Sequence, residues 1–307
     1  MNWKYKALLQ RLLAIIPFGE KVNFQLQKFS GGNKLSHVDE YVNSGVRIVK
    51  LLIENGFVDI KNKQILEVGT GWLPTFPILF SLLGAGKIYT YDHVPHLRFT
   101  MTKSTLTQIK KSFPFISKQL GITVEKLEDK CSKAMNTEDL TRLFEFLNVQ
   151  YRAPEDATYT KIPDNSLDLF FSYAVLEHVP ENIVIGLTQE ALRTLKQGAF
   201  YYNYIGLHDH YVSFDKKITK VNFLKYPEWL WKILAKNKIT YLNRLRNSQF
   251  VKIIEDCGFE IVSINTFVDS KSLKAIRKMK IDKKFSDFEL EDLATTCSEI
   301  LARKTIV

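Results

Sequence analysis

Cysteine is scarce in this sequence, and its scarcity excludes several classes of protein. The 307 residues include three cysteines, Cys131, Cys257 and Cys297, which are odd in number, far apart and in no metal-ligand spacing. Secreted domains held by disulfides need paired cysteines, and zinc ribbons need cysteines in close pairs. We therefore expect a cytoplasmic protein without disulfides, and the cysteines predict no metal centre.

Long apolar runs are also missing, which argues against a membrane-spanning segment. Residues 3–16 are too short and too interrupted to cross a bilayer, and Gln10 and Arg11 break the apolar region that a signal peptide needs. Their spacing instead predicts an amphipathic helix. Its apolar face consists of Tyr5, Leu8, Leu9, Leu12, Leu13 and Ile16. We expect this helix to pack on the core or to form a substrate lid, with peripheral contact to the inner face of a membrane as the alternative.

Acidic residues are too few to balance the basic ones. The sequence has 43 Lys and Arg against 33 Asp and Glu, which gives a formal net charge of +10. Such an excess favours anionic partners, whether nucleic acid, a membrane surface or a phosphorylated substrate. The one dense basic run, residues 271–284, has the composition of an exposed helix or connector, so we interpret the charge as a solvated surface. Hydrophobic residues make up 45% of the chain, which is enough for a large buried core.

The most informative stretch is QILEVGTGW, residues 64–72. A short apolar run there ends in Glu67 and a Gly-Thr-Gly turn at 69–71, which is typical of a buried strand whose tip brings backbone close to a ligand. A second strand, KIYTYD, follows and ends in Asp92. A third glycine is missing, because Pro74 stands where a dinucleotide-binding turn needs one. Proline has no N–H for a phosphate and adds bulk where a helix should pack closely, so the turn disfavours an NAD site.

Helix and strand patterns alternate along the rest of the chain. A helix is predicted over 36–55 with Ser36 as its N-cap, and the spacing from about 96 to 148 is helical throughout. The later predicted strands are VQYR at 149–152, LDLFFSY at 167–173, AFYYNYIG, FEIVSI and ILARKTIV, with a helix at 247–256. This alternation predicts an α/β fold with a parallel sheet. We divide the chain into an N-terminal helical extension, 1–35, and one domain, 36–307, with insertions at about 96–148 and 207–246.

The glycine turn and the block from Glu155 to Val179 resemble motifs of the class I S-adenosylmethionine (SAM) methyltransferases. The first is the strand-E-x-G-x-G turn with an acid at the tip of the second strand, and the later ones are an acid-Ala pair and Leu-Glu-His-Val before a helix. The resemblance implies a doubly wound, mostly parallel seven-stranded sheet of the Rossmann-like methyltransferase type, with an antiparallel last strand between the fifth and the sixth.

The same resemblance implies SAM as the cofactor. In that family the glycine turn lies against the methionine part of SAM, the second acid accepts hydrogen bonds from both ribose hydroxyls, and the acid-Ala pair reads the adenine amino group. SAM has no phosphates, so Pro74 is compatible with it. Carried over to this sequence, the cofactor residues are Glu67, Gly69, Thr70, Gly71, Asp92, Asp156, Ala157 and Tyr173.

The second insertion, 207–246, supplies the candidate acceptor site. It follows the fifth strand, whose C-terminal end borders the ligand crevice of an open α/β sheet. Its Asp-His pair and its Tyr-x-Asn-Arg-Leu-Arg stretch look like those of methyltransferases found among bacterial surface-polysaccharide and natural-product enzymes. The predicted substrate contacts are His208, Tyr241, Asn243 and Arg244. The aromatic residues of the insertion form either lid core or a surface that stacks on sugar faces.

Histidine is the side chain best matched to accept a hydroxyl proton near neutral pH. We predict that His210, held by Asp209 or another carboxylate, is the general base, with His178 as the second candidate. A metal ion held by His208, Asp209 and His210 would need further ligands that the sequence does not show, so no metal site is predicted.

These observations predict SAM-dependent methyl transfer to a small molecule, with a hydroxyl of a saccharide or related metabolite as the acceptor. Methylation of base amino groups in RNA is an alternative, but the run at 172–175, Ser-Tyr-Ala-Val, lacks the prolines typical of that group. A lipid or quinone methyltransferase and a non-catalytic module that kept the fold also stay open. The sequence predicts no oligomeric state.

Overall fold

The described part of the computed structural model covers residues 2–15, 35–235 and 241–305. Its strands are β1 (Gln64–Val68), β2 (Lys87–Tyr91), β3 (Val149–Arg152), β4 (Leu167–Tyr173), β5 (Leu195–Gly206), β6 (Phe259–Val268) and β7 (Thr295–Lys304). Its helices are α1 (Trp3–Ile15), α2 (His37–Glu54), α3 (Thr75–Leu82), α4 (Phe99–Lys111), α5 (Phe113–Leu120), α6 (Val124–Met135), α7 (Leu140–Phe146), α8 (Glu181–Thr194), α9 (Glu228–Ala235), α10 (Asn247–Asp256), α11 (Ser270–Ile276) and α12 (Leu290–Ala294).

The seven strands form one sheet in the order β3-β2-β1-β4-β5-β7-β6. β1 runs parallel to β2 and β4, with Ile65 beside Ile88 and Leu169, and β2 runs parallel to β3. Nearly every residue of β1 and β4 is buried, as expected for central strands covered on both faces. The α/β fold class is therefore confirmed.

β7 is antiparallel to both of its neighbours. The Leu207 N–H, just beyond β5, donates to the carbonyl of Thr296, and the ammonium of Lys304 donates to the carbonyl of Leu195, so residue numbers rise in β7 as they fall in β5. Toward β6, the Asp269 N–H donates to the carbonyl of Ala294 and the Thr296 hydroxyl donates to the carbonyl of Phe267, so residue numbers rise in β7 as they fall in β6. The predicted place of the last strand, between the fifth and the sixth, is confirmed.

α2 and α3 explain how the chain enters the glycine turn. α2 buries one stripe of apolar residues, and Gly45 within it lies so close to α3 that an added Cβ would meet Leu79 Cδ2 at 2.5 Å. Pro74 occupies the N-cap position of α3, where a backbone N–H is not needed. Ser36 is the N-cap residue of α2 as predicted, but its side chain forms no capping hydrogen bond.

The first insertion is helical, as its spacing predicts. α4 to α7 occupy 99–146 in succession, and the chain then enters β3. Each helix buries a few apolar residues, such as Leu106, Leu127 and Leu143, and leaves its remaining face to solvent.

α1 exists, but most of its predicted apolar face is wrong. Trp3, Ala7, Gln10 and Leu13 are buried, whereas Tyr5, Leu8, Leu9 and Leu12 are exposed by 71%, 54%, 47% and 55%. Ile16 lies outside the described residues. The reason is the Trp3 ring, which lies 5.2 Å from the ring of Tyr211 and 5.3 Å from that of Tyr226. Aromatic contacts and the hydrogen bond from the Trp3 N–H to Asp215 therefore select the stripe that carries Trp3.

Packing divides the chain into two compact units. The first contains Met1–Ser30, Tyr173–Gln189 and Tyr202–Ala302, and the second contains Gly31–Ser172, Glu190–Tyr201 and Arg303–Val307. Within the first unit, Trp3, Tyr211, Phe223, Trp231 and Phe285 belong to one buried cluster, so much of the aromatic content of 207–246 is core. The predicted boundary at residue 35 stays a prediction. None of the helices in the described ranges is long and apolar enough to cross a membrane.

Candidate functional site

The glycine turn joins the tips of β1 and β2 in the second unit. Gly69 and Gly71 have φ of 87° and 62°, which side chains with a Cβ rarely adopt. The Gly69 N–H donates to the carbonyl of Tyr91 at 2.8 Å, and the Gly71 N–H donates to Asp92 Oδ2 at 2.8 Å. The turn is thus closed onto the acid at the end of β2.

Asp92 is a buried and ionised carboxylate. Burial would raise its pKa, but hydrogen bonds from His93 and from the N–H groups of Val94 and Gly71 outweigh burial and lower it. Oδ1 accepts the Val94 N–H at 3.0 Å and lies 3.3 Å from His93 Nδ1, whereas Oδ2 accepts the Gly71 N–H and keeps a further lone pair. The arrangement presents an anionic acceptor with two oxygens at a strand tip, which suits a pair of ligand hydroxyls.

Glu67 lies beneath the turn. Its carboxylate accepts the Thr90 hydroxyl at 2.5 Å, and Thr90 Oγ1 lies 2.5 Å from Thr70 Oγ1. Burial raises the pKa of Glu67 to about 8, so the group holds a proton at neutral pH. Glu67 and Thr70 therefore support the turn from inside the fold, and their predicted contact with a cofactor stays a prediction.

The predicted acid-Ala pair follows β3 and comes close to Asp92. The Glu155 N–H donates to the Asp92 carbonyl at 3.1 Å, which brings the loop beside the strand tip. Asp156 is exposed and accepts the N–H and hydroxyl of Thr158 at 2.8 and 2.7 Å, while Ala157 is buried. The structure therefore gathers Gly69, Gly71, Asp92, Asp156 and Ala157 at one edge of the second unit.

Trp72 and His96 are additions that the sequence interpretation missed. Their rings lie 4.0 Å apart at 36°, and burial lowers the pKa of His96. The position of Trp72 directly after the glycine turn was the feature of the sequence that could have indicated this pair. Tyr173, predicted to contact the cofactor, belongs to the first unit and stacks on Tyr204 with ring centroids 4.4 Å apart.

A cluster of three ionisable side chains lies in the first unit. Glu177 and His178 sit in the short 3-10 turn Leu176–His178 after β4, and His210 begins a similar turn after β5. Each of the three side chains offers one atom, and these atoms lie within 4.8 Å of one another. The His210 ring centroid lies 4.9 Å from those of both His178 and His208. We call Glu177, His178 and His210 the Glu-His-His cluster.

The predicted Asp209–His210 pair is not formed. Asp209 is fully buried and accepts hydrogen bonds from the Tyr211 N–H at 2.9 Å and from Asn222 Nδ2 at 3.2 Å, so its carboxylate holds its own turn. Burial raises the pKa of Asp209 to about 6. Burial, followed by the neighbouring His178 and His208, lowers the pKa of His210 to about 3. His210 is therefore a neutral imidazole rather than a group that titrates near neutral pH.

Residues 241–246 contact the Glu-His-His cluster and the turn that carries it. Asn243 Nδ2 donates to the carbonyls of Leu176 and Val179 at 2.7 and 3.0 Å, and the Tyr241 carbonyl lies 3.0 Å from His178 Nδ1. The Arg244 side chain is fully buried.

The Arg244 side chain bonds to neighbouring groups of the protein. Its guanidinium donates to the carbonyls of Phe223 and Tyr226 and pairs with Glu228 at 2.6 Å. The gap that Arg244 and Arg246 line is too narrow for a water molecule. Arg244 and Asn243 therefore act as supports, and their predicted contact with a substrate has no exposed surface to use. The predicted contact of His208 stays a prediction, because that side chain is only half-buried.

No protein-family model matches this chain, and no curated protein matches it. Among solved structures it is similar to a SAM-dependent methyltransferase from Mesorhizobium loti, at 16% identity and a TM-score of 0.43 over 80% of this chain and 92% of that one. It is also similar to one from Methanosarcina mazei, at 15% identity and a TM-score of 0.44 over 83% and 98%. Geranyl diphosphate C-methyltransferase from Streptomyces coelicolor matches at 8% identity and a TM-score of 0.47 over 84% and 78%. These values are too low to transfer a function.

Proposed function

We propose that this protein binds SAM at the glycine turn and transfers its methyl group to an acceptor. The observation that carries the proposal is the closure of the Gly69–Gly71 turn onto the ionised Asp92, at the carboxyl ends of two adjacent parallel strands. Ligands of open α/β sheets bind at these ends. An ionised carboxylate there provides the charge-assisted hydrogen bonds that a ribose diol would use.

The chemistry of the turn favours SAM over a dinucleotide. A dinucleotide would need N–H groups at the start of α3 to hold its pyrophosphate, and the residue at that N-cap is Pro74. SAM carries a sulfonium and no phosphate, so a proline there does not obstruct it. When bound, SAM supplies an electrophilic methyl group. Asp92 would hold the ribose, and Asp156 with Ala157 would lie toward the adenine.

The proposed acceptor is a hydroxyl of a saccharide or related metabolite. Support comes from the sequence alone, in which Asp209-His210 and the stretch 241–246 look like those of methyltransferases found among bacterial surface-polysaccharide and natural-product enzymes. In the transfer the acceptor oxygen forms a bond to the methyl carbon, the bond from that carbon to sulfur breaks, and the acceptor proton passes to a base. The imidazoles of His178 and His210 are the candidate bases. Buried packing of Tyr211, Phe223 and Trp231 removes these rings from sugar stacking.

Two measurements test the proposal. Calorimetry with SAM, its demethylated product and NAD should give binding for the first two and none for NAD. A screen with methyl-labelled SAM over sugar, lipid, quinone and RNA acceptors should give labelled product with a sugar or related hydroxyl compound. Binding of NAD alone would overturn the cofactor assignment. SAM binding without any labelled product would favour the non-catalytic module.

We also propose that α1 makes peripheral contact with an anionic membrane surface. Its exposed Tyr5, Leu8, Leu9 and Leu12 lie among basic side chains such as Lys4. α9 packs beside it, with Trp229 exposed by 65% and the guanidinium of Arg11 bonded to the carbonyl of Ile233. Apolar side chains flanked by lysine and arginine are what an interfacial helix presents to an anionic bilayer.

A further inference from the structure

The Glu-His-His cluster contains a ligand set for a metal. We propose that Glu177, His178 and His210 bind a single divalent transition-metal ion. The proposal does not rest on SAM binding, because it concerns side chains of the first unit alone and can be tested with the metal alone.

Convergence of the three side chains is the first argument. One ligating atom from each residue lies within 4.8 Å of the other two, so small side-chain rotations would bring all three to the distance of about 2.0 to 2.2 Å at which nitrogen and oxygen ligands hold one ion. The residues come from two separate turns, one after β4 and one after β5, so sequence proximity alone does not explain the convergence. No other group of three such residues in the described ranges meets the same criterion.

The Glu177 carboxylate supplies an independent observation that points to a ligand. Its Oε1 accepts the Gly206 N–H at 2.9 Å, but its Oε2 is buried and has no hydrogen-bond partner among the residues that the structure describes. Glu177 as a whole is 2% exposed. A buried carboxylate oxygen without a partner is costly, and a cation bound to it would offset that cost.

Gly206 keeps this space open. A Cβ at position 206 would lie 2.7 Å from Glu177 Oε1 and 3.7 Å from His210 Nε2. A side chain there would therefore push against the Glu177 carboxylate, while His210 Nε2 would lie at an ordinary van der Waals distance. The absence of a side chain at the end of β5 lets the carboxylate and the imidazole approach each other.

The His178 imidazole has the outer contact that metal-binding histidines usually have. His178 Nδ1 lies 3.0 Å from the Tyr241 carbonyl, so it carries the proton that this contact needs and leaves the lone pair on Nε2. His178 is exposed, which gives an ion a path from solvent.

The donor set selects the class of ion. Two imidazole nitrogens and one carboxylate oxygen suit Zn²⁺, Mn²⁺ or Fe²⁺, whereas Mg²⁺ and Ca²⁺ prefer sites made of oxygen. Three protein ligands leave at least one coordination position for water or for an oxygen of an acceptor.

The test is titration of the tag-free, metal-stripped chain with Zn²⁺, Mn²⁺ and Mg²⁺ in turn, followed by calorimetry and, for Mn²⁺, by electron paramagnetic resonance. We expect one Zn²⁺ or Mn²⁺ per chain and much weaker binding of Mg²⁺. His178→Ala and His210→Ala should each weaken Mn²⁺ binding more than about a hundredfold, since loss of even an outer-shell partner costs about 10- to 100-fold.

Glu177→Gln separates metal binding from a structural role. Glutamine keeps an acceptor for the Gly206 N–H and nearly the same volume, so the metal-free variant should unfold at the temperature of the parent. Its Mn²⁺ binding, and the rise in unfolding temperature that Mn²⁺ causes in the parent, should disappear. His37→Ala is the matched control because His37 is partly exposed at the start of α2, where it pairs with Glu40, and it should bind Mn²⁺ as the parent does.

Three outcomes would overturn the proposal. One is a parent chain that binds neither Zn²⁺ nor Mn²⁺. Another is stoichiometric binding that survives in His178→Ala, His210→Ala and Glu177→Gln alike, which would place the ion elsewhere. The third is loss of binding in His208→Ala with retention in His210→Ala, which would assign the wrong histidine. None of these results depends on methyl transfer, and a chain that binds Mn²⁺ but not SAM would reject the proposed function alone.

Discussion

At the scale of single residues, Asp92 offers a direct test of the cofactor proposal. Its carboxylate would accept both ribose hydroxyls in charge-assisted bonds, so Asp92→Ala should weaken SAM binding by about 1.5 to 3 kcal/mol, or roughly tenfold to a hundredfold. Calorimetry measures the change. Asp129→Ala removes an exposed carboxylate from the middle of α6 and should leave the affinity unaltered. Unchanged affinity in a folded Asp92→Ala variant would reject this site.

Arg244 is the residue for which the structure most changes the expected phenotype. Its guanidinium is buried and holds the Phe223 and Tyr226 carbonyls and the Glu228 carboxylate. Arg244→Ala should therefore reduce the free energy of unfolding by about 3 kcal/mol or more, because buried partners are left without a donor.

The comparison variant for Arg244 is Arg142→Ala. Arg142 forms an exposed pair with Glu138 one helical turn away, so its loss should change the free energy of unfolding by less than about 1 kcal/mol. Denaturant titration of both variants gives the two values. An Arg244→Ala chain as stable as the parent, with only a weaker KM for its acceptor, would restore the role in substrate binding that the sequence suggested.

At the scale of elements, local pattern predicted existence and type well. β3, β4 and α10 have the predicted bounds, because each carries its own period and its own end signals. The sequence could not predict which stripe of α1 is buried, because Tyr5, Leu8 and Leu12 are as apolar as the residues of the stripe that packs. The partners of Trp3 lie more than 200 residues away, and helical periodicity says nothing about them.

Local sequence patterns also predicted only part of the candidate site, because they carry no information about contacts between distant residues. The glycine turn and Asp92 could be predicted because both belong to one strand-turn-helix-strand unit. Glu177 was visible within Leu-Glu-His-Val, but only the fold shows that its carboxylate approaches Gly206 and His210. Asp209 and His210 are neighbours in sequence, but their side chains have different partners. In the 3-10 turn the Asp209 carboxylate accepts the backbone N–H of Tyr211 instead of contacting the His210 ring.

The exposed stripe of α1 leads to an expectation about membrane contact. Leu8→Gln with Leu12→Gln should weaken binding to vesicles that contain phosphatidylglycerol by about tenfold or more, since each leucine side chain contributes about 1.5 to 3 kcal/mol when it leaves water. The free energy of unfolding should stay close to that of the parent because both residues are more than half exposed.

Vesicle sedimentation measures the effect on membrane binding. Val58→Gln changes an exposed apolar residue of the second unit and serves as the control. Equal sedimentation of parent and double variant, or equal binding to neutral phosphatidylcholine vesicles, would contradict an electrostatic and apolar contact through α1.

At the scale of the whole molecule, buried acids give the stability a pH dependence with two opposing parts. Hydrogen bonds from Arg193 and Thr160 outweigh burial and lower the pKa of Glu190, so this group stabilises the fold above the unfolded pKa near 4.5 and ceases to do so as the pH falls. Asp92 acts in the same direction. Burial raises the pKa of Glu67 and Asp209 instead, and their effect on stability has the opposite sign.

Glu67 should contribute to the loss of stability toward alkaline pH. Its pKa rises from 4.5 to about 8 in the folded chain, so between these values the unfolded chain releases a proton that the folded chain retains. The contribution of Glu67 is therefore complete below about pH 4.5, declines as the pH rises, and is gone above about pH 8.

Glu67→Gln keeps a neutral side chain that can bond Thr90 and has no proton to lose, so the stability of this variant should fall less between about pH 5 and about pH 8. Urea titrations of the parent, Glu67→Gln and the exposed control Glu125→Gln across this range measure the slopes. Identical slopes for the parent and Glu67→Gln would mean that Glu67 is ionised beneath the turn, and its hydrogen bond with Thr90 would then be a charged one.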